Sequence, residues 1–201
     1  RVAYDPNRQQ MVTCGGEGTA ADLERMKAMS RRQNFGFERV QRLVGNVGYL
    51  DLRVFDDPAM GAGDAAAAAM GFLANADALI IDLRRNGGGY GSMVELMAAY
   101  LLEPGRRVHL FDFHNRTVEG TSLVQSWTPP CVPGPRFGGK DVYVLTGRYT
   151  GSAAESFAYA VRAEKLGTLV GETTVGAGNP GSGIASLPAG FSAFVATGVV
   201  V

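Results

Sequence analysis

Residues Ala78 to Ser92 read ALIIDLRRNGGGYGS. The opening ALIIDL is too short for a helix, and its two isoleucines suit a strand covered on both faces. Three consecutive glycines end it. Beyond them Met93, Leu96, Met97, Tyr100 and Leu101 fall on one face of an amphipathic helix. A strand, a glycine turn and a helix in that order make one half of a parallel β-α-β unit, and the neighbouring sequence repeats the pattern. VGYLDLRVF, Val47 to Phe55, alternates between Leu50, Leu52 and Val54 on one face and Tyr49, Asp51 and Arg53 on the other, as a half-buried strand does. Asp64 is placed to cap an Ala-rich helix running to about Leu73. Downstream come a strand near Val108 to Phe113, a Pro-rich loop, the strand VYVLT at Val142 to Thr146, a helix after Ser152, and short strands near Leu169 and Phe191. The class is therefore α/β, with a partly parallel sheet joined by right-handed crossovers. Residues 1 to 36 read as an irregular N-terminal segment apart from a helix from Ala20 to Ser30 started by Thr19, and residues 37 to 201 as the α/β core.

Composition narrows the function. In 201 residues, 19 basic and 19 acidic side chains cancel, and no run of like charge gives the footprint of a nucleic-acid binder. Small molecules or peptides are the partners this balance leaves. The longest apolar run, Ala65 to Met70, is far too short to span a bilayer, and RVAYDPNRQQ has no signal-peptide pattern. Cys14 and Cys131 allow one disulfide at most and form no metal-binding cluster. Asn115-Arg116-Thr117 fits a glycosylation sequon, a triplet common by chance.

Two strand-to-helix junctions carry the chemistry, Asn86-Gly87-Gly88-Gly89 and Gly151-Ser152-Ala153-Ala154-Glu155. Both fall at the carboxyl ends of strands, where open α/β sheets bind ligands. Backbone N–H groups of a glycine turn, backed by a helix start, suit a phosphate or the oxyanion of a tetrahedral intermediate. The phosphate alternative lacks its residues: the third glycine of a dinucleotide motif is unfilled, and no Lys-Ser or Lys-Thr pair follows. No cofactor or metal is implied. Ser152 has two readings. With Glu155 it forms Ser-x-x-Glu, a capping box. As a nucleophile it would present its hydroxyl at a helix start, with the Ala153 N–H aimed into the same space and small neighbours admitting a carbonyl carbon. The G-x-S-x-G elbow is absent.

DALIIDLRRNGGG, VYVLTGRYTGSAAESFAYAVRAEKLGTLVGETT and GAGNPG, in this order, resemble the carboxy-terminal processing (tail-specific) serine proteases, in the branch similar to interphotoreceptor retinoid-binding protein and the tricorn protease core. NFGFERVQRLVGNVGYLDLRVF and FLANADALIIDL extend the resemblance over roughly residues 34 to 198. It implies a crotonase/Clp-protease-like fold, Ser152 as nucleophile, an oxyanion hole from the Gly88 and Ala153 N–H groups, peptide or protein substrates and an extracytoplasmic site of action. One departure is pointed. The family's lysine base follows a Gly-Glu-Pro-Thr turn, and here GETTVGAGNP places Ala177 at that position. Lys165 lies thirteen residues past Ser152, about 20 Å along a continuous helix, and Lys27 and Lys140 match no family site. The tricorn-like branch uses an upstream histidine; the histidines present, His109 and His114, sit around a strand. The resemblance also implies a chain trimmed at both ends, with the base and an acidic partner outside it. A serine peptidase and a non-catalytic module for an apolar small molecule, of retinoid or fatty-acid type, are thus the two functions in competition.

Overall fold

The structure, a computed structural model, describes residues 2–4, 19–117, 120–181, 184–187 and 191–201. Its centre is a five-stranded sheet of β2 (Phe37–Leu43), β3 (Val47–Leu52), β4 (Ala78–Asp82), β7 (Asp141–Thr146) and β8 (Thr168–Gly171), in the order β2-β3-β4-β7-β8. From β3 to β8 all neighbours are parallel; β2 joins β3 as an antiparallel hairpin. Parallel neighbours need long crossovers. These carry α2 (Ala62–Leu73), α3 (Gly91–Tyr100) and α4 (Ala153–Ala163).

Register puts Leu50, Ile81 and Val144 in one row and Leu79 beside Val142 in the next. All five are buried, and they join Ala66, Met70, Leu73, Met93, Met97, Phe157 and Val161 from the helices in one continuous core. Gly48 lets α2 come close, since a β-carbon there would sit 3.1 Å from Leu73 and 3.3 Å from Leu79.

The opposite face corrects one expectation. The β4 strand is not covered on both sides: its Ile80 lies in the row Gln41, Tyr49, Ile80, Tyr143, Thr168, where Tyr143 is 39% exposed. Asp82 shares this open face but is itself buried by polar partners. It accepts from Tyr49 Oη (2.8 Å), from the Arg84 N–H (3.0 Å) and from the Arg84 guanidinium at 2.9 and 2.6 Å. Beside it, Asp51 accepts from Arg53 at 2.8 and 3.0 Å and from Arg85 at 2.9 Å. This charged row anchors the start of the glycine turn. Burial pushes the Asp82 carboxyl up, but the Arg84 bonds, with that of Tyr49, outweigh it and bring the pKa from 3.8 to about 2. A depressed folded-state pKa stabilises while the group is ionised, so this contribution is complete above about pH 4 and is lost as pH falls through about 2. Asp82→Asn is expected to lower stability by about 1–2 kcal/mol at pH 7, less than full linkage because half-exposed Arg84 is screened by solvent. Urea unfolding of the two proteins should converge as pH drops through that window; a gap that stays constant with pH refutes the assignment.

The remaining strands form two small antiparallel sheets. β5 (His109–Thr117) and β6 (Gly120–Trp127) make a long hairpin to which β11 (Gly198–Val200) adds, in the order β11-β5-β6. β1 (Val2–Tyr4) pairs with β10 (Phe191–Phe194), which pairs with β9 (Ile184–Ser186). The N-terminal segment is therefore not irregular throughout: three residues are too few to show a period, and their partner lies at the other end of the chain. The helix α1 (Ala20–Arg32) has the expected Thr19 cap, with the Asp22 N–H donating to Thr19 Oγ1 at 3.2 Å, and it buries no side chain. Asp64 does not cap α2. A short 3₁₀ turn, Pro58–Met60, capped by Asp57, leads into the helix one turn early, so Gly61 takes the cap position and Asp64 lies inside the first turn. Among the described residues, no helix is long and apolar enough to cross a membrane.

Candidate active site

The two junctions meet. After β4 the chain turns at Leu83 and passes Phe55, whose N–H donates to the Gly88 carbonyl (2.9 Å) and whose carbonyl accepts the Tyr90 N–H (2.6 Å). Only glycine fits at this crossing. A β-carbon on Gly89, with φ 141°, would fall 2.0 Å from the Phe55 carbonyl oxygen. One on Gly88, with φ 113°, would fall 2.6 Å from Ser152 Cβ and 3.0 Å from the Ala153 nitrogen. The glycine turn thus lies directly against Ser152 and the first amide of α4.

The second junction is held just as tightly. Thr150 is buried; its hydroxyl donates to the Leu83 carbonyl at 2.7 Å and accepts the Gly147 N–H at 3.0 Å. The Gly151 N–H then donates to the Asn86 carbonyl at 3.1 Å. Ser152 follows at φ 52°, ψ −124°, exposed at the N-terminus of α4. A serine that merely caps sits in the extended region, as Thr19 does at φ −63°, ψ 157°. Ser152 instead occupies a region costly to any residue with a β-carbon, the kind of strain that clusters at functional sites. Its main-chain carbonyl accepts the Glu155 N–H at 2.8 Å and the Ser156 N–H at 3.1 Å.

Glu155 accepts the Ser152 N–H through Oε2 at 2.9 Å, one half of the capping box that Ser-x-x-Glu announces; the Ser152 side chain turned to the Glu155 N–H is the other. The same carboxylate accepts the Ala177 N–H on Oε2, and Thr174 Oγ1 and the Gly176 N–H on Oε1, each at 2.7 Å. Four donors and the α4 dipole stabilise one anion. The strap from Thr174 to Ala177, where the lysine of the resembled family belongs, is thereby tied to the helix start that carries Ser152. The sequence showed Glu155 as a capping residue only, because its long-range partners are mostly backbone amides.

Of the expected oxyanion donors, the Ala153 N–H has no acceptor among the described residues, whereas the Gly88 N–H donates to Asn86 Oδ1 at 2.8 Å. The charged candidates lie elsewhere. His109 bonds Asp112 and packs against Trp127 with ring centroids 4.9 Å apart and ring planes tilted by 50°; His114 pairs with Leu123 and Val199 within the hairpin sheet. Lys27 pairs with Glu24 on α1. Lys140 donates to the Ala74 and Ala76 carbonyls at 2.8 and 2.9 Å. α4 ends at Ala163, short of Lys165. Cys14 lies outside the described residues, and Cys131 is free and exposed. Among the described residues there is no metal-binding cluster. A cleft of about 590 Å³ opens between α4, β8 and the strap, lined by Glu155, Tyr159, Arg162, Leu169, Glu172 and Val200 among others.

Comparison with known proteins gives a family and several structural relatives. The pattern of peptidase family S41 matches residues 46–198. The tail-specific protease of Haemophilus influenzae (strain ATCC 51907 / DSM 11121 / KW20 / Rd) is 30% identical over 105 residues, 51% of this chain and 14% of that protein. Among solved structures, a chain from Parabacteroides merdae ATCC 43184 superposes with a TM-score of 0.65 at 22% identity, covering 86% of this chain and 57% of that one. The photosystem II D1 C-terminal processing protease gives 0.57 at 24% identity, covering 79% and 39%. These likenesses show a shared fold, and the chain spans only part of each relative.

Proposed function

Since the chain belongs to peptidase family S41, we propose that it is the nucleophile-bearing core of a serine peptidase acting on extended peptides. Ser152 Oγ attacks the scissile carbonyl carbon and passes its proton to a general base. The carbonyl oxygen becomes an oxyanion held by N–H groups of the Gly88-Gly89 turn and of Ala153. Collapse expels the amine, which takes a proton, and leaves an acyl ester on Ser152 that water then hydrolyses. The carrying observation is the backbone of Ser152: φ 52°, ψ −124° presents an exposed hydroxyl beside the glycine turn. A helix cap has no need of that conformation.

The core in this reading is residues 37 to 201, because α1 buries no side chain. None of the described lysines or histidines lies at the crevice, so the base comes from a segment outside the described residues. Such assistance contributes about 10²–10⁴-fold. The chain of 201 residues is therefore expected to react slowly with a serine-directed fluorophosphonate, and the adduct, mapped by peptide mass spectrometry, to lie on Ser152. Reaction at another serine in preference, or none at Ser152 after prolonged exposure, rules the proposal out.

A further inference from the structure

Asn86 is wholly buried, where an amide side chain persists only with its hydrogen bonds made. Its Oδ1 accepts the Gly88 N–H at 2.8 Å, and its Nδ2 donates to the Leu52 carbonyl at 2.9 Å. Its main-chain N–H donates to the Leu83 carbonyl at 3.0 Å and its carbonyl accepts the Gly151 N–H at 3.1 Å. One residue thus ties together the end of β3, the glycine turn and the residue before Ser152.

The consequence is directional. An N–H bent back onto Asn86 does not also face the crevice, so the Gly88 amide is committed. The next peptide is fixed by its other end: the Gly88 carbonyl accepts from Phe55. In a trans peptide the N–H points opposite to the carbonyl, and among the described residues no peptide bond is cis. Phe55 continues β3, and Ser152 follows β7, on the other side of β4 in the sheet order. The Gly89 N–H therefore faces the Ser152 side, and among the described residues it has no acceptor.

We infer that Asn86 is a positioning residue, which engages the Gly88 N–H and sets the next peptide plane so that Gly89, with Ala153, supplies the oxyanion donors. The inference rests on the serine-peptidase reading above and narrows it to particular amides. Both halves of the amide matter. Aspartate at this position could accept from Gly88 but could not donate to Leu52, and alanine would leave a buried N–H and a buried carbonyl unpaired.

Nitrogen-15 glycine spectra and amide hydrogen exchange, recorded on the chain before and after fluorophosphonate modification of Ser152, test this. The Gly88 amide is expected to be protected and unshifted in both states. The Gly89 amide should exchange quickly in the free protein, then become protected and move strongly downfield in the adduct. Asn86→Ala is expected to lower the maximal rate of Ser152 modification by about 10²–10³-fold, the usual effect of losing one oxyanion donor, with the half-saturating reagent concentration unchanged. A purely structural role would instead scale with the unfolded fraction and leave the folded protein's maximal rate intact. Should that variant fail to fold, the exchange comparison on the unmodified sequence decides alone. A Gly88 amide that shifts while Gly89 stays fixed overturns the inference, as does a modified Ser152 with both amides unmoved; each of these leaves Ser152 as nucleophile. A Ser152 that never reacts removes the peptidase reading, and this inference with it.

Discussion

In an active, full-length protein that carries its general base, Ser152→Ala is expected to abolish fluorophosphonate modification and to lower peptide turnover by about four orders of magnitude or more, as removal of a serine nucleophile does elsewhere. Its effect on stability should not exceed that of a lost helix cap. The bonds from the Glu155 and Ser156 N–H groups go to the Ser152 main-chain carbonyl, which alanine retains, and the Ser152 N–H still reaches Glu155. Loss of a true cap would cost about 0.5–2 kcal/mol. Ser152→Gly makes the comparison sharper. At φ 52°, ψ −124° a β-carbon is under strain worth about 1–3 kcal/mol, so glycine should unfold at a higher denaturant concentration than serine or alanine while being equally inactive. A protein made more stable and inactive by one substitution separates the nucleophile from the cap, because a cap lost to glycine would not raise stability. Turnover that survives in a folded Ser152→Ala or Ser152→Gly protein would sink the serine mechanism.

The sequence revealed the elements whose periods are long or whose ends are marked. ALIIDL followed by three glycines, and VYVLT followed by Ser152, placed β4, β7 and both helices correctly, since burial on one face repeats along these runs. It did not reveal β2. FERVQRL exposes most of its side chains as an edge strand, so its alternation carries little apolar contrast. β1 escaped for another reason: a strand of three residues acquires meaning only from its partner β10, across nearly the whole chain. At the site, residue types that announce chemistry were legible, and residues that act through main-chain groups were not. Asn86 and Thr150 hold carbonyls and amides of distant turns, and no local pattern distinguishes such an Asn or Thr from a loop residue. Glu155 was visible as half of a capping box, but its bonds to Thr174, Gly176 and Ala177 exist only once the strap has folded over α4.

That strap leads to the gain-of-function prediction. Ala177 and Ser152 each donate their backbone N–H to the same oxygen, Glu155 Oε2, at 2.7 and 2.9 Å. A lysine introduced by Ala177→Lys would therefore start from a backbone position already docked beside the nucleophile's helix, and Ala177 is exposed, so the longer side chain displaces no core residue. To act as a base the amine must be neutral at the moment of attack. The positive end of the α4 dipole favours that form, and the Glu155 carboxylate opposes it. Because Glu155 already accepts four hydrogen bonds, its charge is the more dispersed of the two influences. Ala177→Lys is expected to raise the rate of Ser152 modification by about 10²-fold, the lower end of what general-base assistance contributes. The gain should grow as pH rises through the amine's titration and vanish in Ala177→Lys combined with Ser152→Ala. Ala177→Arg is the control, since it adds the same charge and reach but stays protonated in proteins. An equal rise with arginine would mean that positive charge alone attracts the reagent. No rise with lysine at any pH would mean that the strap does not carry residue 177 to the nucleophile, and that the site is assembled differently from the geometry of Glu155 and its donors.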